Sequence, residues 1–183
     1  MDEALAAISR AGVPDRDDAE LARAATEDRA AFAAIYERHR TPVYRYLRAR
    51  TATDADAQDL TATTFERAMG AIHRFQPVAG GMVAWLIRIA RNAHSDALRH
   101  QRRRGTEVAS GAAEPAIDPS DDAVVLRSLI DGLPGTQRDA IQLRFAAGLT
   151  AREIGGVLGI SEAAAQKQVE RGLRALKEAY GAD

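Results

Sequence analysis

The 183-residue sequence contains no cysteine, and only 5% of its residues are aromatic. Without cysteine the chain has neither disulfide bonds nor thiolate ligands for a metal ion. It also lacks an apolar run of the ~18 residues that a membrane-spanning helix requires, and no basic segment followed by an apolar run opens it. We therefore expect a soluble, cytoplasmic protein without membrane contacts.

The patterns of common catalytic and cofactor sites are missing as well. Gly80-Gly81 and the glycines of Gly155–Gly159 have neither the spacing nor the lysine of a phosphate-binding loop. The four histidines show no metal-ligand spacing, and the acidic run Asp54–Asp59 lacks the glycine and closing glutamate of a calcium-binding loop. We expect a protein that is not an enzyme and that binds no metal ion or cofactor.

Charge is distributed unevenly, although the formal net charge is only −1. Residues 1–20 hold two arginines against six acidic residues, a balance of −4. Residues 88–104 hold six arginines against one aspartate, a balance of +5, while residues 105–121 hold four acidic residues and no basic one. A concentrated basic segment of this kind is typical of a nucleic-acid-binding surface.

Apolar residues in the first half recur at the three- and four-residue steps of amphipathic helices. A helical pattern begins at Asp18, and Thr41-Pro42 predicts a new helix start, because proline suits the first helical turn and threonine can cap it. Thr53 or Asp54 predicts the next start. The buried stripe of that helix is expected to contain Ala57, Leu60, Thr64, Phe65, Ala68, Met69, Ile72 and Phe75.

Three further helix starts are predicted in the second half. The stretch Leu133–Thr136 should end one helix and cap the next. Thr150 and Glu153 form a capping-box pattern, and Ser161 can cap the last helix. No segment alternates in the manner of a β-strand, so we predict an all-α protein.

Composition divides the chain into two small helical domains. Residues 105–121 are small, acidic and proline-containing, and a connection of this length is unusual inside one compact domain. We predict a loosely held tail at residues 1–17, a first domain at 18–104, a flexible linker at 105–121 and a second domain at 122–183.

The stretch from Gly148 to Leu176 has the outline of a helix-turn-helix. Gly155 is expected where two helices approach closely, and Gly159 where the turn needs a positive φ. The core face of the last helix is expected to contain Ala165, Val169, Leu173 and Leu176. The opposite face, which a DNA major groove would meet, carries Ala163, Lys167, Glu170, Arg171 and Arg174. A helical hairpin that packs on a protein partner is the alternative.

A long helix predicted from about Val83 to Arg103 has a basic face and an apolar back. Its basic face, within ~80° of arc, consists of Arg88, Arg91, Arg99 and Arg102, with Asn92 at the edge. Trp85 lies just upstream and suits either stacking on unpaired bases or packing in the core. A solvated face that only promotes solubility is the alternative for the arginines.

Three stretches together carry a family resemblance: "FERAMGAIHRFQP", "AWLIRIARN" and "GLTAREIGGVLGIS". The first two resemble the second conserved domain of bacterial RNA polymerase sigma factors of the extracytoplasmic-function (ECF) group, and the third resembles the fourth domain. The resemblance covers roughly residues 18–180. It implies two helical domains, sigma domain 2 and a sigma domain 4 with a helix-turn-helix, in a promoter-specificity subunit that binds core polymerase and helps to open promoter DNA.

The resemblance also implies roles for particular residues. The loop Gln76–Gly81 would hold a flipped base of the minus-ten element. The candidate minus-ten contacts are Gln76, Gly80, Trp85, Arg88, Arg91, Asn92, Arg99 and Arg102. The candidate minus-thirty-five contacts are Ser161, Ala163, Ala164, Lys167, Gln168, Arg171 and Arg174. The candidate contacts to the clamp helices of the largest polymerase subunit are Asp56, Asp59, Leu60, Phe65 and Arg67. An anti-sigma factor is a further implied partner.

The chain departs from the family pattern by losing charge. Family members usually carry glutamate where Gln58 stands and Gln-Glu where Ala62-Thr63 stand, and their recognition helices often carry lysine or arginine at the positions of Gln166 and Gln168. Both changes imply weaker polar contacts. Two other functions stay open: a stand-alone two-domain helix-turn-helix regulator, and an all-helical adaptor without a DNA role.

Overall fold

The computed structural model describes residues 17–76, 80–103 and 121–181. The first half comprises α1 (Asp18–Ala24), α2 (Arg29–Arg48), α3 (Asp54–Ala71), a 3-10 turn (Ile72–Arg74) and α4 (Gly81–Arg103). The second half comprises α5 (Asp121–Gly132), α6 (Gly135–Ile141), a π-helical turn (Gln142–Ala146), α7 (Ala151–Leu158) and α8 (Glu162–Tyr180). These described residues contain no strand, which confirms the all-α prediction. The predicted tail and linker lie almost entirely outside them.

Polar side chains satisfy free backbone N–H groups at the predicted helix starts. Thr53 caps α3 and Ser161 caps α8, each accepting a hydrogen bond from the N–H three residues on, at 3.1 Å and 3.2 Å. Thr150 accepts from the Glu153 N–H at 3.3 Å, while the Glu153 carboxylate accepts from the Thr150 N–H at 2.7 Å. This reciprocal pair is the predicted capping box.

The helix α2 runs unbroken past Pro42, so the helix start predicted there was wrong. The break lies earlier, between α1 and α2, where the Asp28 carboxylate accepts a hydrogen bond from a backbone N–H of the new helix at 2.8 Å. Proline costs a helix one hydrogen bond and crowds the preceding turn. Ile35 on one side of Pro42 and Val43 on the other are both 0% exposed, so a shared core holds both parts of α2 in one line.

In the first half, α2, α3 and α4 pack around a common apolar core, and α1 packs on α2. Tyr46, Leu86 and Ile87 are almost fully buried there. On α3 the predicted stripe is correct at Ala68 but wrong at Met69, which is 47% exposed. Met69 is rotated by about 100° from Ala68 around the helix axis, which takes its side chain out of the buried face of α3.

The second half contains a similar correction. Leu173 is 44% exposed, while Gly172 is buried against Ile141, where a Cβ atom would come within 2.7 Å of Cγ1. The buried face of α8 therefore contains a glycine where the two helices cross. A pattern of apolar side chains does not predict this position, because glycine has no side chain. The predicted break at Leu133–Thr136 is confirmed, because α5 ends at Gly132 and α6 begins at Gly135; Pro134 is the N-cap residue, and no side chain caps α6 by a hydrogen bond.

The two halves pack against each other. α4 lies against α7, and α2 lies against the π-helical turn. Buried apolar residues of both halves form one continuous cluster. The start of the helix-turn-helix is therefore placed directly on the basic helix α4.

Candidate nucleic-acid interface

The helix α4 separates apolar from basic side chains as its sequence predicts. Leu86, Ala90 and Ala93 are buried on its back. On the other side Arg88 and Arg91 are half-buried, while the outermost candidates, Asn92, Arg99 and Arg102, are exposed. One helix thus presents a row of guanidinium groups while its opposite side is fixed in the core, an arrangement suited to a chain of phosphates.

A single carboxylate connects two of the candidate surfaces. Asp96 on α4 accepts hydrogen bonds from Arg67 of α3, at 2.8 Å, and from Arg99. These hydrogen bonds, first from Arg67 and then from Arg99, lower the pKa of the Asp96 carboxyl group below its ordinary value. Arg67 is a candidate polymerase contact and Arg99 a candidate DNA contact, so the ionised Asp96 lies between the two surfaces.

Trp85 packs against the edge of the core, which is one of the two roles that its position suggested. Its half-buried ring meets Phe75 edge-on, with ring centroids 5.4 Å apart and planes at 68°. Gln76, which follows Phe75, is exposed. Gly80, at the other end of the loop, is buried with φ +92°, a conformation that glycine adopts without strain. The aromatic pair therefore anchors α4 beside the candidate loop, whose residues 77–79 lie outside the described ranges.

Arg91 turns towards the second half of the chain. Its guanidinium donates to the Asp139 carboxylate at 3.1 Å and to the Val157 carbonyl oxygen at 3.5 Å. Arg50, at the end of α2, donates to the other oxygen of Asp139, and its guanidinium lies 4.6 Å from the centroid of the Tyr46 ring. Burial is the main cause that raises the pKa of Tyr46 to about 12, which keeps this ring neutral.

The helix-turn-helix has the predicted turn geometry. Gly159 adopts φ 70° and ψ 31° between α7 and α8. A Cβ atom at Gly155 would come within 2.7 Å of the Ile160 carbonyl oxygen, so only glycine permits this approach. Both glycines lie where they were predicted: Gly159 at the turn and Gly155 at the close helix contact.

The outer face of α8 is open. Exposed candidate residues on it are Ser161, Ala163, Lys167, Arg171 and Arg174, and the half-buried ones are Ala164 and Gln168. Gln166 donates to the Glu170 carboxylate at 3.0 Å, so two of the non-basic residues satisfy each other. This face has few positive charges, but a DNA groove can reach all of its candidate residues.

A third candidate surface is a groove of about 620 Å³ between α2 and α3. Tyr36 (38% exposed) and Met69 line it, together with Gln58 and Ala62. Phe65 is only 4% exposed and meets the Tyr36 ring edge-on at 4.8 Å, so it supports the groove from below. Phe65 is the one predicted polymerase contact that lines the groove; the other predicted contacts lie outside its lining and are exposed at Asp56, Asp59 and Arg67 and half-buried at Leu60.

No sequence pattern predicted the cluster that Arg50 and Asp139 form with Arg91. Arg50 lies just after the end of α2 and Asp139 lies on α6, and 89 positions separate them along the chain. Their side chains are only 17% and 22% exposed. Asp139 directly follows the polar residues Thr136, Gln137 and Arg138 on α6, so nothing in its local sequence distinguishes it.

The described ranges lack two further kinds of feature. No group of three or more histidine and acidic side chains is arranged to hold a metal ion there. No helix within the described part of the chain combines the length and apolarity needed to cross a membrane.

Family models match both halves of the chain in order. Sigma-70 region 2 matches residues 35–104, and Sigma-70 region 4 matches residues 123–176. The first match contains α4 and the groove between α2 and α3, and the second contains the helix-turn-helix.

Similar proteins and structures agree with these matches. RNA polymerase sigma factor CarQ of Myxococcus xanthus is 34% identical over 161 residues, which cover 82% of this chain and 90% of CarQ. ECF RNA polymerase sigma factor BldN of Streptomyces coelicolor is 34% identical over 164 residues, which cover 84% of this chain but only 62% of BldN. CnrH, solved in complex with the cytosolic domain of CnrY, has a TM-score of 0.66, is 25% identical and covers 91% of this chain and 98% of CnrH. Both regions in order, with identities above 30% along nearly the whole of a relative, mean that this chain belongs to the ECF group of the sigma-70 family.

Proposed function

We propose that the chain is a promoter-specificity subunit of bacterial RNA polymerase that acts in the cytoplasm and has no catalytic activity of its own. The observation that carries the proposal is the pairing, in one chain, of a basic helix backed by the core with a helix-turn-helix whose outer face is free. The first suits a melted strand and the second suits a duplex groove.

The minus-ten element is assigned to α4 and the loop before it. Arg88, Arg91, Arg99 and Arg102 would neutralise phosphates along the opened strand, and Asn92 would hydrogen-bond to its edge. Trp85 is positioned by Phe75 beside the loop that begins at Gln76 and ends at Gly80, where an unstacked base would be held.

The minus-thirty-five element is assigned to α8. Lys167, Gln168 and Arg171 would lie in the major groove, with Arg174 near the backbone. Ala163 and Ala164 would permit close approach and contact thymine methyl groups. Ser161 caps the helix, so its N-terminal N–H groups point at the DNA backbone.

The polymerase is assigned to the groove between α2 and α3. An apolar helix of the partner would cover Tyr36 and Met69, and the exposed Asp56, Asp59 and Arg67 would form the polar rim. In this groove Gln58 stands where the family usually carries glutamate and Ala62 where it usually carries glutamine, so we infer that the partner surface is less polar than is usual for the family. CnrH was solved with the cytosolic domain of CnrY bound to it, and we propose an anti-sigma factor as a partner of this chain.

The sparse charge on α8 is consistent with this function. Phosphate neutralisation dominates DNA affinity, so α8 alone should bind weakly. When two surfaces that each bind DNA weakly are held on one polymerase, the binding of one raises the effective concentration of the other at the promoter. A subunit of this kind needs selectivity from α8 more than it needs affinity.

The proposal is tested by mixing the purified chain with core RNA polymerase and following co-elution in size-exclusion chromatography. We expect a stoichiometric complex. The groove variant Met69→Asp should weaken it by about tenfold, since it places a charge in an apolar contact. Ala33→Asp, at an exposed α2 position outside the groove, is the matched control.

Absence of a complex would overturn the proposal. If the chain alone then bound duplex DNA tightly, the stand-alone regulator would be the better description. If neither polymerase nor DNA bound under any salt condition, the protein-interaction adaptor would replace both.

A further inference from the structure

The contact between the two halves covers part of the surface assigned to the minus-ten element. Arg91 of α4 is engaged by Asp139 and by the Val157 carbonyl oxygen, both from the second half. At the end of the loop, a Cβ atom on Gly80 would lie 3.1 Å from the Cα atom of Glu153 and 3.2 Å from its carbonyl oxygen. The first turn of α7 therefore lies directly on the loop end that would hold the flipped base.

The other two assigned surfaces are not covered. Lys167 and Arg171 on α8 are exposed, and so are Tyr36 and Met69 in the groove between α2 and α3. The contact is thus selective: it leaves duplex reading and polymerase docking accessible, and it obstructs the surface for melted DNA.

A central carboxylate holds this contact together. Asp139 accepts from Arg50 with one oxygen and from Arg91, at 3.1 Å, with the other. The Asp139, Arg50 and Arg91 side chains are 22%, 17% and 36% exposed, so water and salt screen them less than a surface ion pair. Two guanidinium groups share one carboxylate, and the Arg50 Nε atom has no hydrogen-bond partner among the described residues. Loss of Asp139 would leave two partly buried positive charges without a counter-charge.

We propose that Asp139 is an intramolecular latch that stands in for a DNA phosphate on Arg91 and keeps the chain closed until promoter DNA displaces it. A carboxylate and a phosphate present similar pairs of oxygen atoms to a guanidinium group, so they compete for it. The closed chain would bind polymerase and duplex DNA, while its affinity for a single strand is reduced by the small open fraction. This inference rests on the proposed function, because closure is inhibitory only if the covered face binds DNA.

The test uses the full chain with two introduced cysteines, which are specific labelling sites because the sequence has none. Ala33→Cys on α2 and Ala179→Cys on α8 are both exposed and lie in different halves. A donor and an acceptor dye at these positions report the distance between the halves. Binding is measured with a fluorescent single-stranded 20-mer deoxyoligonucleotide of random sequence, and thermal unfolding shows that each variant is folded.

Two variants release the latch with opposite changes of charge. Asp139→Asn removes a negative charge, and Asp131→Asn, at an exposed position on α5, is its matched control. Arg50→Gln removes a positive charge, which by itself would weaken binding to a nucleic acid. We expect both latch variants to lower the energy-transfer efficiency and to bind the oligonucleotide at least about fivefold more tightly than the parent. The Asp131 control should change neither property.

Each outcome decides one part of the proposal. Unchanged energy transfer in both folded latch variants would overturn the latch. Lower transfer without tighter oligonucleotide binding would overturn the competition with phosphate. If the wild-type chain fails to co-elute with core polymerase while both expected changes are seen, the proposed function falls and the latch on a DNA-binding face stands.

Discussion

The two helices assigned to DNA differ in a way that a count of basic residues does not reveal. On α4 the arginines are numerous but engaged, Arg91 by Asp139 and Arg99 by Asp96. On α8 the basic residues are few, but Lys167 is exposed and open to a groove. The stronger nucleic-acid surface is thus held in internal ion pairs while the weaker one is free. Availability, and not the number of charges, distinguishes the two.

The largest effect is expected from removing the arginines of α4. The triple variant Arg88→Ala, Arg91→Ala and Arg99→Ala should lower open-complex formation by about 100-fold or more, because three phosphate contacts are lost. Co-elution with core polymerase should persist, since none of the three lines the groove between α2 and α3. The measurement is promoter opening by permanganate footprinting. Opening at the wild-type level would refute the role given to this helix.

The second prediction disturbs the support of α8 and leaves α4 unchanged. Gly155→Ala would place a Cβ atom 2.7 Å from a backbone carbonyl oxygen, which cannot move aside without shifting the turn. We expect a loss of about 2 kcal/mol in the free energy of unfolding, measured by urea denaturation. Gly132→Ala is the control, because a Cβ atom there meets nothing within 4 Å. Equal stability of the two variants would mean that the close helix contact is not required.

The third prediction tests whether α8 reads sequence. Replacing Lys167 and Arg171 by alanine should change the preference among minus-thirty-five variants by about tenfold, as expected when base contacts are lost. The measurement is transcription from a set of promoters that differ only in that element. A uniform loss across the set would show that the two side chains contact only phosphate.

The smallest effect concerns pH. Burial, and then the nearby Arg50 charge, lower the pKa of His94 on α4 below its ordinary value of 6.5. The folded chain therefore binds fewer protons at this site than the unfolded chain, so stability falls as the pH is lowered through 6.5. Denaturation at pH 7.5 and at pH 5.5 should show a loss that His94→Gln reduces. His100→Gln, at an exposed position on the same helix, is the control; an equal effect of the two substitutions would contradict the assignment.

Local signals in the sequence predicted the local features correctly. Thr150 with Glu153, Ser161 and Gly159 act at helix ends, where the requirement involves only a few neighbouring residues. Features that depend on distant packing were not predictable in this way. Pro42 stays inside α2 because a core assembled from several helices holds both of its sides.

The same distinction between local and distant features applies to the candidate site. The basic face of α4 and the open face of α8 follow from helical periodicity and were predicted residue by residue. The cluster around Asp139 was not, because it joins Arg50 in the turn after α2, Arg91 on α4 and Asp139 on α6. No local pattern contains the information that these side chains meet. The assignments of individual residues to DNA and to polymerase stay predictions until the variants are measured.

The continuity of α4 has one more consequence. Arg88 and Arg102 lie on the same continuous helix, 14 residues apart, and a rise of 1.5 Å per residue separates them by about 21 Å along the helix. Nucleotides stacked along one strand are about 3.4 Å apart, so this distance corresponds to about six of them. The length of the helix therefore limits the number of nucleotides that it can contact at once, and this limit is set by the geometry of the protein backbone.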